Sequence, residues 1–145
     1  MKILAFDPSS THVGWCLAEG TVYSQSGVYV PKGKADARVA LIQQWAKRKI
    51  RLFAPEVVVL EEPAGNHGNP KADRLLARVG GVIEAMALDR SALVRRVWPT
   101  QVKATKCCKD NLVYARGVAG KENVGPDEAD AIGVWLAYLK VFGEK

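Results

Sequence analysis

The chain opens with KILAFD at residues 2–7, a short apolar run ending in an acid. After the turn-rich PSST come HVGWCLAE and TVYSQSGVYV, separated by Gly20. Short runs of this kind, bounded by turn residues, predict strands. Their brief connections predict neighbours in an antiparallel meander. Beyond Pro31 the period changes: over 35–53, Leu41, Ile42, Trp45, Ile50 and Phe53 fall near helical spacing. Lys47, Arg48, Lys49 and Arg51 surround that stripe, and Ala54-Pro55 ends the helix. Val57 to Leu60 is apolar at every position, as in a strand covered on both faces.

Pro63 to Pro70 reads as a loop, and residues 71–89 as a helix with Leu75, Leu76, Val79, Val82, Ile83 and Met86 on one stripe. Val94 to Trp98 reads as a further strand. A Lys-rich segment, 103–109, leads into a helix near 109–117, and Pro126 opens a last helix running to about Phe142. The order βββ-α-β-α-β-α-α predicts an α/β fold with a mixed sheet, residues 1–145 forming one domain. Gly80-Gly81 inside a helix costs roughly 1 kcal/mol per Gly against Ala. Either a close approach of another helix, across a dimer interface for instance, or a kink would account for them.

Composition changes this picture in two ways. No apolar run approaches the roughly 20 residues that cross a bilayer, and MKILAFDPSS reads as a strand rather than a signal peptide. The expectation is a cytoplasmic protein without a membrane partner. Lys plus Arg number 21 against 15 Asp plus Glu, a net charge of +6, which points towards a polyanionic partner. The three cysteines, Cys16, Cys107 and Cys108, form no CxxC pair and fit free thiols in a reducing compartment. His12 and Cys16 fall in a strand-like segment without a second ligand pair, so zinc is not expected.

The candidate chemistry lies in the acids. The closing helix has an apolar stripe of Ala131, Val134, Trp135, Tyr138, Leu139 and Phe142; carried backwards it reaches Asp130 and Asp127, whereas Glu128 falls off it. Two acids one turn apart on an inward face can share a ligand, although first-turn acids also complement the helix dipole. Asp7 ends the first strand on the side of Ile3 and Ala5, where it could serve a site or simply start the DPSS turn. Glu61 and Glu62 end the VVVL strand on opposite faces, and periodicity does not choose between them. Gathered together, such carboxylates would repel unless divalent cations neutralised them, and oxygen-only ligands suit Mg²⁺ or Mn²⁺. In a basic protein, a two-metal carboxylate site of this kind suggests phosphodiester hydrolysis, one ion activating water and the other stabilising the leaving oxygen. Lys103, Lys106 and Lys109 then form a phosphate-binding run, or a solvated charged loop.

FDPSSTHVGW, VVVLEEP and DEADAIGVW, in this order, resemble the RuvC family of Holliday-junction resolvases, within the ribonuclease H-like superfamily. The likeness covers essentially the whole chain, including ARVGGVIEAM and PTQVKATK. It implies a homodimeric, Mg²⁺-dependent endonuclease that binds four-way or branched DNA and cuts junctions with paired nicks. It assigns Asp7, Glu61, Asp127 and Asp130 as metal-binding catalytic acids, selecting Glu61 over Glu62. It places Lys103 near the scissile phosphate, with Lys106 or Lys109 as a second lysine. Relatives carry an aromatic just after the second acid; here Pro63, Ala64 and Gly65 follow, so either Asn66 or His67 takes a similar role on the DNA or the junction is distorted differently. The setting implied is a bacterial cell or a phage-infected host, and the shortened basic loop would fit a phage-encoded member. Alternatives are a ribonuclease H-like nuclease for other branched DNA or RNA–DNA hybrids, and an actin-like ATPase fragment. FDPSSTHVG loosely resembles the phosphate turn of the latter, whose folds need two such domains.

Overall fold

The structure is a computed structural model describing residues 1–65, 68–105 and 111–143. Five strands, β1 (Lys2–Asp7), β2 (Val13–Glu19), β3 (Val22–Tyr29), β4 (Val57–Glu61) and β5 (Leu93–Val97), form one sheet in the order β3-β2-β1-β4-β5. The first three make the antiparallel meander, whereas β4 and β5 join parallel to β1. The helices are α1 (Ala35–Phe53), α2 (Pro70–Leu88), α3 (Pro99–Ala104), α4 (Asn111–Ala119) and α5 (Pro126–Phe142).

Alternation along the central strands sorts their side chains onto two cores. Ile3, Ala5, Cys16, Val57 and Val59 pack with α5 residues such as Ala131, Val134 and Trp135. Leu4, Phe6, Val58 and Leu60 pack against Ile42, Trp45 and Ile50 of α1 and Val79 and Ile83 of α2. Both faces of β1 and β4 are therefore covered, which is why their sequences are almost continuously apolar. Pro55 acts as the sequence predicts: α1 stops at Ala54, which takes the left-handed conformation (φ 46°).

The structure corrects or extends three expectations. The helix α3 begins ahead of the Lys-rich segment 103–109, over residues to which the sequence assigns no element. Its six residues are too few to display a period, and Pro99 at its first turn with Gln101 bonded back to the Trp98 N–H is what starts it. The helix α5 is not amphipathic: Glu128, Ala129 and residues 131 to 135 are buried, on every side of the helix, whereas Leu139 is only partly covered and Phe142 is exposed. Finally, α2 runs unbroken through Gly80 and Gly81. A Cβ at Gly80 would meet only the Arg96 guanidinium, at an ordinary 3.8 Å. Among the described residues, no helix is long and apolar enough to cross a membrane.

Candidate active site

The carboxyl ends of β1 and β4 lie side by side. Their parallel register runs from Ile3 opposite Val57 to Phe6 opposite Leu60, so Asp7 and Glu61 are the next pair along. Adjacent strands are about 4.8 Å apart. Alternation fixes the face: Asp7 follows Ile3 and Ala5, and Glu61 follows Val57 and Val59, all four being in the core beneath α5. Glu62 takes the opposite face, where Arg96 of β5 bonds it at 3.2 Å while also bonding Glu84 of α2. The strand geometry thus separates two acids that periodicity alone leaves equivalent. Both ends open onto a cleft of about 300 Å³, lined by Asp7, Pro8, Glu61, Glu62, Pro63, Ala64, Leu76, Pro99 and Lys103. A ligand crevice beyond the carboxyl ends of parallel strands is the general expectation for open α/β sheets.

Beyond Asp7, Ser9 Oγ accepts the N–H groups of Thr11 and His12 at 3.3 and 3.4 Å. Arg38 donates to the Ser10 carbonyl at 2.8 Å, tying this turn to α1. Lys103 enters the cleft from α3, which is anchored by its buried neighbour Val102. Val102 fits because α5 carries Gly133 opposite it; a Cβ there would stand 3.1 Å from the Val102 Cγ1.

Asp127 and Asp130 occupy the first turns of α5 and are half-buried. Their link to the strand acids passes through Gly14, the register partner of Asp7 on β2. The Gly14 Cα faces the Asp127 backbone carbonyl so closely that a Cβ would collide with the oxygen. The start of α5 is therefore seated directly over the end of β1. Among the described residues, no three His, Cys, Asp or Glu side chains stand close enough together to hold a metal ion. The sequence-predicted acids are thus not a closed cage. Asp7 and Glu61 share the cleft with Lys103, and the backbone of Asp127 packs on Gly14, the register partner of Asp7. Such a donor set fits Mg²⁺, which is commonly bound by one or two carboxylates, waters and substrate phosphate rather than by a dedicated all-protein cage. Asn66, His67, Lys106, Lys109, Cys107 and Cys108 lie outside the described residues.

Sequence reasoning missed Glu128. It is the buried charged residue of the described chain, 6% exposed. Ser26 Oγ donates to its Oε1, Lys121 Nζ lies 2.6 Å from the same oxygen, and the Tyr23 hydroxyl is 2.8 Å from Ser26 Oγ. Burial alone would raise the Glu128 pKa, but the Lys121 and Ser26 hydrogen bonds and the Lys121 charge outweigh it and hold the carboxyl below its ordinary value. The available signal was the helix itself: Ala129, Ile132, Gly133 and Leu136 make α5 apolar beyond its main stripe, and such a helix is buried all round. Cys16 is also buried, and that burial pushes its thiol pKa well above the ordinary range.

No protein-family model matches the chain. A curated relative, the crossover junction endodeoxyribonuclease RuvC of Pelodictyon phaeoclathratiforme (strain DSM 5477 / BU-1), is 28% identical over 130 residues, 86% of this chain. The match spans 64% of that relative's length. Thermus thermophilus RuvC in complex with a Holliday junction substrate superposes with a TM-score of 0.84 at 21% identity, covering 100% of this chain and 98% of the other. A second T. thermophilus RuvC structure gives 0.77 at 23% identity, covering 97% and 96%. The yeast mitochondrial Holliday junction resolvase Ydc2 gives 0.66 at 13% identity, covering 97% and 81%. The chain has the ribonuclease H-like fold of the RuvC resolvases, and the sequence resemblance to that family is borne out along most of its length.

Proposed function

We propose that this chain is a metal-dependent endonuclease that resolves four-way DNA junctions by phosphodiester hydrolysis. The observation that carries the proposal is the placement of Asp7 and Glu61 on neighbouring parallel strand ends, facing the same way, in a cleft that also holds Lys103. Two carboxylates beside a cation suit a bound phosphate with its divalent ion. The curated relative's activity and the junction bound by its structural neighbour support the choice of substrate.

In this reading Asp7 and Glu61 hold the ion, which is Mg²⁺, with Mn²⁺ substituting. Asp127 and Asp130 complete the acidic wall from α5. When bound, the metal supplies an activated water and stabilises the leaving oxygen. Lys103 balances the charge of the scissile phosphate, and its placement on a short helix anchored by Val102 limits how far that charge can wander. Paired symmetric nicks need two copies of the site, hence a homodimer with one junction between two clefts. The whole chain acts as a single nuclease domain.

A synthetic four-way junction, a flap, a plain duplex and an RNA–DNA hybrid, each incubated with protein and Mg²⁺ or Mn²⁺, would test this. The junction should be nicked symmetrically and fastest. Tight junction binding without nicking in either metal would sink the catalytic claim. Preference for the flap or hybrid would favour the second reading, a related nuclease for other substrates. Pro63, Ala64 and Gly65 favour that reading, because they put no aromatic directly after the strand acids.

A further inference from the structure

The four tryptophans divide sharply. Trp15, Trp45 and Trp135 are 8%, 8% and 2% exposed, whereas Trp98 is 58% exposed. Leaving so large an aromatic face in water forgoes burial that a Trp otherwise supplies, and its position is informative. Trp98 immediately precedes Pro99, which lines the Asp7–Glu61–Lys103 cleft, and it is the residue on which α3 begins.

Its backbone is fully held. The Trp98 N–H donates to Gln101 Oε1 at 2.7 Å, and its carbonyl accepts from the Gln101 and Val102 N–H groups at 2.9 and 3.1 Å. The ring therefore stands on a fixed main chain with only its two side-chain torsions to order, a small entropic cost for a contact surface. Lys103 follows in the same short helix and places a cation in the cleft. A cation in the cleft and, one residue before the cleft-lining Pro99, an exposed aromatic ring make the pairing of charge and stacking face used to grip unpaired nucleic acid.

We propose that Trp98 is a stacking platform for an unpaired nucleobase next to the phosphodiester held in the cleft. This inference rests on the nuclease reading above and extends it to a second contact. A base inside an intact duplex is stacked on both faces and has none to offer. The platform therefore favours the opened strands of a branch point over plain duplex. The basic balance of the chain, +6 overall, suits a nucleic acid partner.

The test uses the intrinsic fluorescence of full-length Asp7→Asn protein, which binds without cutting. Because the other tryptophans are buried, the solvent-exposed emission belongs to Trp98. Titration with a four-way junction should quench it, and the matched duplex should quench it far less. Trp98→Ala should remove the quenching and weaken junction binding between about 5-fold and 150-fold, the range expected for one stacked base at roughly 1–3 kcal/mol. Trp98→Phe should recover most of the affinity. Tight junction binding with unchanged emission, or Trp98→Ala binding within twofold of its parent, would overturn the platform while leaving the nuclease reading intact. So would dissociation of a dimer by Trp98→Ala in sedimentation, which would make the ring a contact between copies. A parent protein that binds no branched DNA would overturn both.

Discussion

Gly14 stands between Asp7, its register partner across the β1–β2 ladder, and Asp127, whose carbonyl packs against its Cα. This contact sets the first turn of α5 against the strand that ends in Asp7. Glycine is required for space rather than for backbone conformation: a Cβ would collide with the carbonyl oxygen and lie 2.7 Å from the carbonyl carbon. Backbone atoms cannot rotate aside as a side chain can. Gly14→Ala should therefore push α5 away from the sheet, costing about 1–3 kcal/mol as overpacking does. Denaturant melts should show that loss, and nicking should fall by well over tenfold at temperatures where the variant is still folded. A variant that cuts at the parent rate would mean that the spacing of the acids does not depend on this contact.

Glu61 and Glu62 should part company on substitution. Glu61→Gln removes a proposed metal-binding oxygen from the cleft and should abolish nicking with little change in melting temperature. Glu62→Gln weakens one side of a partly exposed ion pair with Arg96, which keeps Glu84. That should cost no more than about 1 kcal/mol and leave nicking within a few-fold of the parent. Paired assays on the two variants, with thermal melts alongside, decide the matter. Reversed behaviour would move the site to the other face of β4.

Lys103→Ala removes a cation from the cleft without disturbing Val102, the residue that anchors α3. Cleavage should drop strongly. The dependence of junction binding on salt should flatten by roughly one counterion, as expected when a single phosphate contact is lost. Binding measured from low to moderate salt would show this. An unchanged slope would place the ammonium away from DNA.

Much of this was legible in the sequence because the strongest signals are local. The apolar run of β4 and the period of α1 each fix an element in a few residues. What the sequence withheld depends on pairing. The parity that sends Glu61 under α5 and Glu62 to Arg96 appears only once Val57 and Val59 are seen to share a core with Ile3 and Ala5. Helix α3 is too short for a period to register, so the sequence leaves Lys103 either in a phosphate-binding run or in a solvated loop. Glu128 falls off the main apolar stripe of α5, yet the first turns of that helix are buried on more sides than one stripe can show.

Glu128 also makes a prediction about pH. Its folded-state pKa lies below the ordinary 4.5, because the hydrogen bonds from Lys121 and Ser26 outweigh the effect of burial. The stabilisation from this group is then fully present above about pH 4.5 and is lost as pH falls through the lower, folded value. Lys121 shows the reverse case. Desolvation pulls its pKa down, but Glu128 raises it above 10.5, so its contribution holds below that pH and is lost only in stronger alkali. The pair should thus give a stability plateau that falls away at both ends. Glu128→Gln keeps the shape and a hydrogen-bond acceptor for Ser26 but removes the charge. It should lower stability across the plateau by up to about 3 kcal/mol, the low end for a broken buried pair because Lys121 is 37% exposed. It should also flatten the acid limb. Chemical denaturation of parent and variant from pH 3 to pH 8 supplies the comparison. If their difference in stability is the same at every pH, Glu128 is held by packing rather than by its charge.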